Sequence, residues 1–93
     1  MAAVVVTPTA VADLDRLIAT LLLPSNTRER VRASLKPLSR LPQLGAALEG
    51  RWSGYRFVLG PWPWMIVVYT YDEPTDRVAI VTIQDSRSAA APR

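Results

Sequence analysis

Few side chains in this sequence are capable of acid–base or nucleophilic chemistry, and the missing types narrow the choice further. There is no histidine and no cysteine, which removes imidazole catalysis, thiolate nucleophiles, disulfides and the ordinary zinc ligands. Arginine, tyrosine, tryptophan and carboxylate remain. Between Thr27 and Arg56 the chain carries Arg28, Arg30, Arg32, Lys36, Arg40, Arg51 and Arg56 against only Glu29 and Glu49. Such a stripe fits phosphates or an acidic protein partner, and a solvated helix face gives the same pattern.

Three carboxylates, Asp72, Glu73 and Asp76, flank Pro74 in "DEPTD". Acidic residues around a proline are ordinary turn chemistry. With no other oxygen ligands nearby, this reads as a turn, and neither a metal nor a cofactor is expected. The stretch "GPWPWMIVVYTY" gathers Trp62, Trp64, Tyr69 and Tyr71. Its tryptophans are placed either to stack on bases of a single strand or to bury against one another at a hairpin tip. Tyr69 and Tyr71 share one face of a strand, where aromatics usually build core.

The elements that must position these groups are legible from the hydrophobic periods. Val4, Val5 and Val6 are consecutive β-branched residues and suit a short strand. Thr7 then caps a helix whose first position is Pro8. Val11, Leu14, Leu17, Ile18 and Leu21 recur at helical spacing, while Asp13, Asp15 and Arg16 are expected on the solvent side, so residues 8–22 form an amphipathic helix ended by Pro24. Ser25, Asn26 and Thr27 supply the cap of a second helix with Val31, Leu35 and Leu38 inward. Pro37 interrupts it and predicts a break after Leu35. Pro42 and Gly45 close this αα-hairpin.

From Tyr55 the period changes. "YRFVLG", "WMIVVYTY" and "RVAIVTIQ" are separated by "GPWP" and "DEPTD", which predicts three strands in an antiparallel meander. Residues 88–93, with Arg87 before them, read as a frayed tail. The fold class is therefore α+β: a short N-terminal strand, an αα-hairpin and a three-stranded meander joining one sheet. The 93 residues, 49% of them hydrophobic, suit one domain spanning residues 1–93. The longest apolar run, Trp62 to Tyr69, is far short of the ~20 residues that span a bilayer, and no leader is evident, so a cytoplasmic protein without membrane contact is expected.

The order of these pieces resembles the RelE/ParE superfamily of bacterial toxins. The resemblance rests on "VVVTPTAVADLDRL", with Thr7, Pro8, Ala10, Asp13 and Leu14 matching, and on "LSRLPQLGAALEG", with Leu38, Pro42, Gly45, Leu48 and Gly50 matching. It implies the toxin of a type II toxin–antitoxin pair, whose partner is a cognate antitoxin with a wrapping C-terminal segment. It leaves two targets open: ribosome-bound mRNA, cut by RelE-like members, or DNA gyrase, inhibited by ParE-like members through binding.

Cutting RNA through its 2′-hydroxyl without metal takes a base, an acid and cations for the phosphorane. The resemblance puts Arg56 at one cationic position, with Arg51 just before it, and leaves Arg87 and Tyr71 as the remaining nuclease candidates. At the position of a nuclease arginine on the central strand stands Ile66. That replacement favours the ParE-like, non-nucleolytic alternative, for which the binding candidates are Arg28, Arg32, Arg40, Trp62, Trp64 and Ile66. A small nucleic-acid-binding module is the third reading. For Arg56, an ion pair with Glu49 or Asp85 is the plain structural alternative.

Overall fold

The computed structural model describes residues 1–88, 91 and 92. The chain begins with β1 (Ala3–Val6), followed by α1 (Pro8–Leu21), α2 (Thr27–Leu35) and α3 (Pro37–Arg40). A two-residue strand, β2 (Ala46–Ala47), and a 3-10 turn at Gly50–Trp52 lead into β3 (Arg56–Leu59), β4 (Met65–Asp72) and β5 (Arg77–Asp85). One sheet holds all five strands in the order β1-β5-β4-β3-β2. β1 runs parallel to β5, pairing Val4 with Val78 and Val6 with Ile80. The other pairings are antiparallel.

The Thr7–Pro8 start forms as expected. The Thr7 hydroxyl accepts the Ala10 N–H at 3.3 Å and donates to the Ile80 carbonyl at 2.7 Å, so the cap of α1 also fastens the helix to β5. The helix ends at Leu21, one residue short of the expected boundary. Leu22 adopts the left-handed conformation (φ 53°), and its N–H caps onto the Ile18 carbonyl. One other detail differs from the sequence reading, and the expected break after Leu35 is present. Asn26 occupies the N-cap position of α2 without a side-chain bond, because Thr27 instead donates its hydroxyl to the Pro24 carbonyl at 2.6 Å. The helix breaks at Lys36 and resumes at Pro37, where the missing N–H costs nothing at a first-turn position.

Alternation along β4 divides the protein into two apolar layers. Met65, Val67 and Tyr69 point to the helices and join Ala10, Leu14, Val31, Leu35, Leu38, Val78, Ile80 and Ile83 in the main core. Ile66 and Val68 point the other way, into a smaller cluster with Ala91. Tyr71 packs against the helix-side core beside Tyr69, so the two tyrosines do share a face.

Asp13 departs from expectation. It is 6% exposed, not on the solvent side of α1. β1 ends opposite Ile80, so the Ile83 N–H further along β5 has no strand partner on that side. The Asp13 carboxylate takes that place, accepting the Ile83 N–H at 3.3 Å and the Thr82 hydroxyl. The ladder between β4 and β5 also shifts register between Val68 and Tyr69, adding Val81 to the β5 strand.

Candidate functional site

The smaller layer lies on the Ile66 face of β4. Ile66 is there, 8% exposed, with Val68 and Ala91, and Leu48, Trp52, Tyr55, Phe57 and Val81 pack around them. Trp52 and Tyr55 meet edge to face, their ring centroids 5.7 Å apart at 81°. The Trp52 Nε1–H is buried without an acceptor among the described residues. The residues of this cluster are apolar or aromatic and supply no cation for a developing phosphorane, and the ladder partner of Ile66 on β5 is Gln84, a neutral side chain.

The four nuclease candidates do not assemble there. Arg56 is paired across the ladder with Tyr69, and Leu59 with Ile66. Cross-strand partners share a face, so Arg56 lies on the helix side of the sheet. Its guanidinium donates to the Gly45 carbonyl at 2.8 Å and to the Gln43 carbonyl at 3.3 Å. Neither Glu49 nor Asp85 is its partner, which replaces the ion pair expected as the structural alternative. Arg51 is exposed in the 3-10 turn.

Tyr71, also on the helix side, donates its hydroxyl to Asp76 Oδ1 at 2.8 Å. That bond to a carboxylate, with partial burial and the negative charges of Asp76, Glu73 and Asp72, holds the phenol above its ordinary pKa. Such a tyrosine is a poor base. Arg87 grips Asp85 through two bonds of 2.9 and 2.8 Å. The pair lowers the Asp85 pKa and raises that of Arg87. Arg87 is therefore held, and Ala91 is buried, although both fall in the stretch expected to fray. Residues 89, 90 and 93 of that stretch lie outside the described residues.

The binding candidates fall into two groups. Trp62 and Trp64 stack at 5.7 Å and 10°, in agreement with the expectation that they bury against one another. The Arg30 guanidinium covers Trp62 at 4.5 Å, and that of Arg87 lies over Trp64 at 5.4 Å. This four-layer ladder joins α2, the β3–β4 turn and the end of β5, and its two outer ring faces are already covered by cations. Arg28, Arg32 and Arg40 are exposed on the helices. Arg28 meets Asp15 at 2.6 Å, whereas Arg32 and Arg40 form no ion pair among the described residues.

In "DEPTD", Thr75 donates to Asp72 Oδ2 at 2.5 Å and the Asp76 N–H closes onto the Glu73 carbonyl at 3.1 Å. The segment is a turn. Among the described residues no three carboxylates gather as metal ligands, and no helix is long and apolar enough to cross a membrane.

Sequence reasoning named Gly45, Asp13 and Arg30 but not the contacts they make. Asp13 carried a usable signal: three residues after Ala10 and four before Leu17, it falls on the apolar stripe of α1. Arg30 carried none, because its aromatic partner is distant in sequence.

Solved structures share this architecture. The toxin–antitoxin complex RelBE2 of Mycobacterium tuberculosis contains a chain that superposes with a TM-score of 0.66 at 22% identity, covering 90% of each chain. A chromosomal ParDE system of Pseudomonas aeruginosa matches at 0.69 and 19% identity, over 91% of this chain and 96% of the other. The isolated RelE toxin of Escherichia coli matches at 0.68 and 12% identity, over 97% of this chain and 89% of the other. The chain has the RelE/ParE toxin fold. No protein-family model and no curated protein matches its sequence. Within that fold, Ile66 belongs to an apolar cluster, Arg56 lies on the helix side and Arg87 follows the end of β5.

Proposed function

We propose that the chain is the toxin of a type II toxin–antitoxin pair and that it inhibits growth by binding its target, DNA gyrase, without cutting RNA. The carrying observation is the apolar cluster around Ile66, with Arg56 held at Gly45, Tyr71 at Asp76 and Arg87 at Asp85. Losing one preorganised donor or cation typically costs 10²–10³-fold in rate, and here three of the four candidates are held by other partners. A binding inhibitor needs no such constellation. Two of the structural neighbours are toxin–antitoxin complexes, which supports a cognate antitoxin as the partner. A cytoplasmic location follows from either target.

Purified protein is to be tested in parallel for inhibition of gyrase supercoiling and for cleavage of mRNA in a ribosome-containing translation reaction. Supercoiling inhibition without cleavage is expected. Cleavage that is lost in Arg56→Ala overturns the proposal in favour of a RelE-like interferase.

A further inference from the structure

The second and third helices present a row of cations that the fold leaves unused. Arg32, Lys36 and Arg40 recur every four residues across α2 and α3, so successive side chains stand about one turn apart along one face. All three are exposed. They border one continuous surface: Arg32 and Lys36 line a shallow cleft of about 310 Å³, and Lys36 and Arg40 line the next, of about 550 Å³. No carboxylate lines either cleft, and none of the three cations belongs to an ion pair among the described residues. Their neighbours are occupied. Arg28, a turn before Arg32, meets Asp15 at 2.6 Å, and Arg30 lies over Trp62. Glu29 is the only acidic residue in the two helices.

Three unpaired cations in line suit a ligand that repeats a negative charge. Eight residues of helix rise ~12 Å, and one strand of a DNA duplex carries a phosphate every ~3.4 Å of helix axis. The row therefore spans about three phosphates. The surface offers little to other ligands. No aromatic side chain lines the two clefts, whereas protein interfaces favour aromatic anchors and single strands need stacking platforms. Trp62 and Trp64 do not supply one, because Arg30 and Arg87 cover their outer faces.

We propose that Arg32, Lys36 and Arg40 bind the phosphate backbone of duplex DNA. Phosphate contacts position a protein without reading sequence, so the contact is independent of base order. That the DNA is the segment held by gyrase rests on the gyrase reading above; the contact itself does not. On that enzyme the row gives the toxin a second attachment, which strengthens binding to the DNA-loaded form without any new contact to gyrase.

The probe is a fluorescently labelled duplex of arbitrary sequence, titrated with the full-length protein at several salt concentrations, beside a single strand and polyglutamate. Three phosphate contacts predict a slope of about −2.7 in log affinity against log salt, a ~40-fold loss between about 50 and 200 mM. Arg32→Gln, Lys36→Gln and Arg40→Gln should each reduce the slope by about 1. Arg32→Lys and Arg40→Lys should keep it, because lysine binds phosphate as a point charge. Urea midpoints unchanged by these exposed substitutions keep binding separate from folding. No duplex binding at low salt, a slope unmoved by the three glutamine variants, or tighter binding of the single strand or of polyglutamate overturns the assignment. Duplex binding through the row by a protein that spares gyrase overturns the gyrase reading alone.

Discussion

Tyr69 holds Gly45 from inside the core: its hydroxyl, on a fully buried side chain of the central strand, accepts the Gly45 N–H at 2.8 Å. Arg56 takes the carbonyl of the same residue at 2.8 Å. One glycine is thus fixed at both backbone groups, and with it the passage from α3 to β2. The approach is close enough to exclude a side chain. A Cβ at Gly45 would meet the Tyr69 ring and hydroxyl at 2.8 Å and the Phe57 carbonyl oxygen.

Gly45→Ala should therefore destabilise the protein by about 1–3 kcal/mol through overpacking. Tyr69→Phe should cost about 1–3 kcal/mol, because it leaves a buried N–H unsatisfied. Urea unfolding would measure both. A midpoint unchanged in either variant would show that the clamp contributes nothing.

Arg56→Ala should lower stability by about 1.5–3 kcal/mol, the range of hydrogen bonds to charged groups. Inhibition per folded molecule should stay unchanged, since the guanidinium serves Gly45 and Gln43. Inhibition measured against the folded fraction separates the two effects. A loss of potency in fully folded protein would return Arg56 to the functional surface.

Asp13→Ala deprives the Thr82 hydroxyl and the Ile83 N–H of their shared acceptor. A cost of about 2–4 kcal/mol is expected from two unsatisfied donors. Amide exchange at Ile83 should accelerate ahead of that in β4. Uniform acceleration over the sheet would mean that Asp13 acts globally and does not close a local edge.

The Tyr71–Asp76 bond carries a pH signature. The folded phenol titrates above its ordinary value of 10.0, chiefly because it donates to Asp76. A raised pKa contributes stability that is present below the unfolded value and lost as pH rises through the folded one. Wild type should accordingly lose stability above about pH 10 relative to Tyr71→Phe. The two unfolding curves should converge at strongly alkaline pH, and parallel curves throughout would remove the bond from the account.

Arg30→Ala should cost about 0.5–1 kcal/mol, typical of an exposed cation–π contact. Uncovering the outer face of Trp62 should red-shift tryptophan emission. An unshifted spectrum would mean that the guanidinium does not shield the ring.

Much of this architecture was legible in the chain. The Thr7–Pro8 cap, the break before Pro37 and the three strands of the meander each follow from local sterics or from a hydrophobic period. The resemblance to RelE/ParE toxins rested on the same local signals. β2 escaped notice because Ala46 and Ala47 are only two residues, recruited by pairing with Phe57 and Arg56. Asp13 was misplaced because its acceptor role arises where β1 ends, a feature of sheet topology.

The sequence by itself determined which chemistry is absent, with no imidazole and no thiol, and the family resemblance raised the expectation that Ile66 stands where a nuclease carries arginine. Only the tertiary structure decided what the remaining cations do. A one-dimensional pattern says that Arg56, Arg87 and Arg30 are charged. Whether each meets a carbonyl, a carboxylate or an indole depends on strand register and on which face of the sheet it occupies. Those registers bring Arg56 to Gly45, and the turn after β5 lets Arg87 reach both Asp85 and Trp64. Long-range packing thus turned apparent catalytic arginines into fastenings and buried Ile66 among apolar neighbours.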